Sequence, residues 1–118
     1  MKHKRIVVPI YNSWVYVVSD VQECIRIAPL KTGVWLSESD FDGNGMVIYG
    51  NMRNVIWLPE GACINTIAHE VTHTLLNIFK VKGISVDLDN QEPTTYLMGW
   101  LIGEVVKAHN QLKGANNG

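Results

Sequence analysis

A chain of 118 residues, 47% apolar and 18% charged, suits one globular domain with a single core and leaves no material for a second. Ten basic and eleven acidic side chains leave a net charge of -1, which excludes the strong field that draws proteins to nucleic acid or to an acidic membrane surface. No stretch approaches the ~20 apolar residues of a membrane-spanning helix, so a cytoplasmic domain with no nucleic-acid or membrane partner is expected.

The basic start Met1-Lys2-His3-Lys4-Arg5 leads into Ile6-Val7-Val8, but Pro9, Asn12 and Ser13 break the apolar run too early for a signal peptide. Residues 5–18 are rich in β-branched and aromatic types, with a Tyr-Asn-Ser break near the middle. They predict two strands or one bent strand. From Ser19-Asp20 the spacing of Val21, Cys24, Ile25 and Ala28 becomes helical, giving a short helix that ends before Pro29. Cys24 and Cys63 are too few and too far apart for a disulfide framework or a paired-cysteine metal site.

Residues 37–45 (SESDFDGNG) read as a surface loop. Asp40, Asp42 and Asn44 alternate as in a calcium loop, but the downstream bidentate glutamate is missing, with Asn51 and its neighbours in its place. Met46–Tyr49 and Asn54–Leu58, separated by Gly50-Asn51-Met52-Arg53, predict an antiparallel hairpin. A helix from about Ala62 to Val81 follows, with Gly83 as its left-handed cap. A second is expected from about Gln91 to His109, capped by Asn90 and tolerating Pro93 in its first turn. Gly99 and Gly103, four apart, predict close packing of that helix within the monomer, with a dimer contact as the alternative. Residues 1–112 thus form one domain, and the tail Lys113–Gly118 is expected to be flexible.

The chemistry is carried by His69-Glu70-Val71-Thr72-His73. Two imidazoles four residues apart lie about one helical turn from each other, so both can reach one metal ion. Glu70 projects beside them and is placed to act as a general base on water. On the predicted helix Ile64, Ile67, Ala68, Val71, Leu75, Ile78 and Phe79 form one apolar stripe, and the two histidines fall on roughly the opposite side. A hydrolytic zinc site needs a third protein ligand. Asp87, Asp89, Glu92, Glu104 and His109 are the candidates; Glu92, nineteen residues after His73 and in the first turn of the next helix, is the best placed.

Thr66-Ile67-Ala68-His69-Glu70-Val71-Thr72-His73-Thr74-Leu75 resembles the extended signature of zincin metallopeptidases. Glu92-Pro93-Thr94-Thr95-Tyr96 resembles the gluzincin arrangement, in which a helical glutamate completes the site, although Thr95 departs from the small or acidic residue many of them carry there. Together, over roughly Met46 to Lys107, these features are similar to small zincin-like proteins of bacteriophage and prophage genomes. The resemblance implies an α+β fold in which a small, mainly antiparallel sheet packs on the two long helices. It also implies Zn2+ held by His69, His73 and Glu92, with Glu70 as the base. Thr94, Thr95 or Tyr96 would orient a ligand histidine, and Tyr96, Tyr49 or His109 would donate to an oxyanion. The substrate would be a peptide or protein, paired as an added strand with Met46–Tyr49 or Asn54–Leu58. The setting would be the host cytoplasm and the state a monomer. A zinc-stabilised binding protein with little or no catalysis, acting on a host protein, is the alternative.

Overall fold

Two hairpins make the sheet of this α+β protein, seen in a computed structural model that describes residues 2–117. The first joins β1 (His3–Val8) to β2 (Ser13–Val18), and the second joins β3 (Met46–Gly50) to β4 (Arg53–Trp57). The sheet order is β1-β2-β4-β3. Both hairpins are antiparallel, and β2 and β4 meet in parallel at the centre, so the mainly antiparallel sheet is a mixed one.

The central strands are covered on both faces, which explains their nearly continuous apolar runs (SWVYVV and RNVIW). On one face α1 (Val21–Thr32) packs Cys24, Ile27 and Ala28 against Tyr16, Val18, Ile48, Val55 and Trp57. On the other, α2 (Ile64–Lys82) and α3 (Glu92–Asn117) set Val71, Leu75, Ile78, Leu101 and Val105 against Val8, Val15, Val17 and Ile56.

Asp20 caps α1 by accepting from the Glu23 amide at 2.9 Å. The helix passes through Pro29 rather than ending before it. Proline removes only the one N–H that would have reached back a turn, and the closing turn is held by Thr32 Oγ1 donating to the Ala28 carbonyl at 2.8 Å and by Gly33 at φ 80°.

Gly83 terminates α2 at φ 69°, as its position predicts. The expected stripe is buried at Ile67, Val71, Leu75, Ile78 and Phe79, while Ile64 is exposed. α3 differs from expectation in two ways. It runs past His109 into the segment expected to be a flexible tail, as far as Asn117; Gly118 lies outside the described residues. It is also buried along one face only, and a side chain at Gly99 or Gly103 would meet nothing within 4 Å, so these glycines mediate no close packing among the described residues.

Among the described residues no helix is long and apolar enough to cross a membrane.

Candidate metal centre

α2 lies between the β3–β4 hairpin and α3. Thr72 Oγ1 meets Met98 Sδ on the α3 side, at 4.0 Å, whereas Asn77 Nδ2 donates to Asn54 Oδ1 on the sheet side, at 3.2 Å. The helix thereby turns three faces in three directions. Val71, Leu75 and Ile78 enter the core, Glu70 leans toward the start of β3, and His69 and His73 face solvent.

His69, Glu70 and His73 come together: one ligand atom from each lies within 4.8 Å of the others. The two imidazole rings stand 4.9 Å apart at 75°, and His69 Nε2 is 4.0 Å from Glu70 Oε1. Two imidazole nitrogens and a carboxylate oxygen are a donor set that the borderline-soft zinc ion accepts.

Glu70 is the buried member, only 6% exposed, and its Oε2 has no hydrogen-bond partner among the described residues. A buried carboxylate oxygen without a donor is costly, so this atom needs a proton, a water or a cation to complete it. The loop above it is fitted to that carboxylate. A Cβ on Gly45 would stand 2.9 Å from Thr66 Cγ2 and 3.1 Å from Glu70 Cγ, so a larger residue there would have to push Thr66 and the stem of the acid aside.

The acidic loop before Gly45 has a structural task of its own. Asp40 accepts from the Ser37 amide at 2.9 Å, closing the short turn Glu38–Asp40, so this aspartate is committed to backbone capping.

Glu92 is not part of the cluster. Because Met98 is level with Thr72, Glu92 lies six residues earlier, about 9 Å further along α2 than that contact. It lines a separate cavity of about 570 Å3 with Pro9, Ile10, Tyr11, Tyr96 and Trp100. The spacing correctly brings a returning helix beside α2, but it does not fix that helix's rotation or height. The other candidate ligands are also placed elsewhere. Asp87 accepts from the amides of Asp89 and Asn90, and His109, 1% exposed, bonds the Pro59 carbonyl through Nε2 at 2.9 Å. Asp89 and Glu104 stand outside the group as well.

Thr95 Oγ1 is spent on the Glu92 carbonyl and Tyr96 lines the other cavity, so neither orients a histidine. Of the three tyrosine and histidine donors considered, Tyr49 alone borders the cluster. Together with Val47 and Asn77, it lines a cleft of about 390 Å3 that also contains Glu70 and His73. Asn77 lies outside the sequence motif, and its one local signal is its place four residues after His73, about one helical turn on.

Of the two strands considered for peptide pairing, β4 is internal and β3 is the sheet edge. Asn51 and Met52, at φ 52° and 63°, form a two-residue turn that makes Gly50 and Arg53 a hydrogen-bonded pair. Alternation from that pair points the main-chain groups of Val47 and Tyr49 outward, along the cleft.

No family model, curated protein or solved structure matches this chain.

Proposed function

We propose that the chain is a small zinc metallopeptidase that hydrolyses peptide bonds in the cleft between β3 and α2. The observation that carries this reading is Glu70: a buried carboxylate with one unpartnered oxygen, beside two histidines and facing an unpaired sheet edge. His69 and His73 would hold zinc as its two protein ligands, one fewer than the three usual at hydrolytic zinc sites, and the ion would supply Lewis-acid chemistry by acidifying water and polarising a carbonyl. Glu70 removes a proton from the attacking water as its oxygen bonds to the carbonyl carbon. The same carboxylate then returns that proton to the nitrogen as the C–N bond breaks. Tyr49, 37% exposed in the cleft, donates its hydroxyl to the developing oxyanion. Free Cys24 and Cys63 agree with a reducing, cytoplasmic setting.

One observation favours the second reading, a zinc-stabilised binding protein. Glu70 is itself close enough to serve as the third ligand, and an acid committed to the ion is no longer a base. The same variant separates the two. With Glu70 as base, Glu70→Gln retains stoichiometric zinc by elemental analysis and loses turnover of a degenerate peptide pool by about 100-fold or more. With Glu70 as ligand, the metal is lost. His69→Ala loses zinc in both cases, and an active Glu70→Gln protein sinks the hydrolase assignment.

A further inference from the structure

We infer that Asn77, oriented by Asn54, is a main-chain clamp for the substrate and favours bonds with about three residues on their amino-terminal side. This inference rests on the peptidase reading of the same cleft.

β3 and α2 form its two walls and run in the same direction. At one end Gly45 abuts Glu70. At the other, Asn77 bonds Asn54, which is the cross-strand partner of Tyr49. From Glu70 to Asn77 is seven residues of helix, roughly 10 Å, which an extended peptide spans in about three residues. Asn54 is 3% exposed and takes one N–H of Asn77, fixing the orientation of its amide. The second N–H and the carbonyl of Asn77 are left for the cleft, one donor and one acceptor, which is the complement of a peptide unit.

The outward main-chain groups of Val47 and Tyr49 provide the opposite wall. Antiparallel pairing is the more stable arrangement, and β3 runs from the Glu70 end to the Asn77 end. A peptide added antiparallel therefore runs toward Glu70, and Asn77 meets the residue about three places before the scissile bond.

The test uses zinc-loaded full-length protein and a degenerate pool of amino-terminally acetylated peptides, with the distance from each end to each cut read by mass spectrometry. Wild type should cut bonds with three or more preceding residues about 5- to 10-fold faster than bonds with one or two, the value of one or two hydrogen bonds. Asn77→Ala should lose that preference while keeping its zinc. Asn77→Asp, which keeps size and an acceptor but removes the donors, serves if the alanine variant fails to fold, and it too should lose the preference. A length preference retained in the folded variant, or one that depends on residues after the bond, overturns the inference.

If wild type cuts nothing, the peptidase reading fails separately. The clamp is then decided by fluorescence anisotropy of the same peptides. Binding that weakens by a similar factor in Asn77→Ala supports it, and binding that is absent or unchanged overturns it.

Discussion

Two buried glutamates show how partners determine what a carboxylate does. Glu23 accepts from Arg26 through both oxygens at 2.8 Å and lies 2.7 Å from His3 Nδ1. The Arg26 hydrogen bonds outweigh burial, and with further help from His3 they hold its pKa down to about 2 from 4.5. Glu70 Oε2 instead has no hydrogen-bond partner among the described residues. For Glu23 the sign follows directly: with the folded pKa depressed, its stabilisation is complete above pH 4.5 and is lost as pH falls toward 2. Glu23→Gln should therefore destabilise the fold by about 1–2 kcal/mol at pH 7, reduced by solvent screening at exposed Arg26. The deficit should shrink through pH 4 and vanish near pH 2. Urea unfolding of both proteins across that range measures it, and a deficit independent of pH would assign the effect to packing rather than charge.

At the level of elements, the β3–β4 turn carries Met52 at φ 63°, where an L side chain is strained and glycine is not. Its side chain is 39% exposed, so little packing offsets the strain. Met52→Gly should stabilise the protein by up to about 1 kcal/mol after the entropy of the added glycine is subtracted, seen as a higher urea midpoint with an unchanged slope. This hairpin was legible in the sequence because its signals are local, as were the α2 stripe and its cap at Gly83. The joining of β2 to β4 was not, since no local pattern states which strands of two separate hairpins become neighbours. Pro29 misled because a proline normally marks a helix end, whereas here one forgone hydrogen bond is tolerated near the last turn. His69, Glu70 and His73 could be grouped because a single helix fixes their relation. Glu92 could not, because its position depends on how α3 docks against α2 and the β1–β2 turn.

Across the whole molecule, the proposed metal centre sits outside the two clusters that hold the fold together. Neither His69 nor His73 belongs to the apolar groups on either face of the sheet, and α2 is anchored by Ile67, Val71, Leu75, Ile78 and Phe79. The hydrophobic core, rather than the ion, should thus be sufficient for folding, unlike in small domains whose structure collapses without metal. On the zinc proposal, binding to the native state would still stabilise it by mass action, by about 2.7 kcal/mol when free zinc is a hundred times its dissociation constant. For a domain of this size that is roughly a 10 °C rise in melting temperature. Protein stripped by a chelator should keep its far-ultraviolet circular dichroism and a single cooperative transition, and zinc should raise that transition in wild type but not in His69→Ala. Loss of the cooperative transition on chelation would instead make the ion part of the fold, and would favour the binding-protein reading over the peptidase.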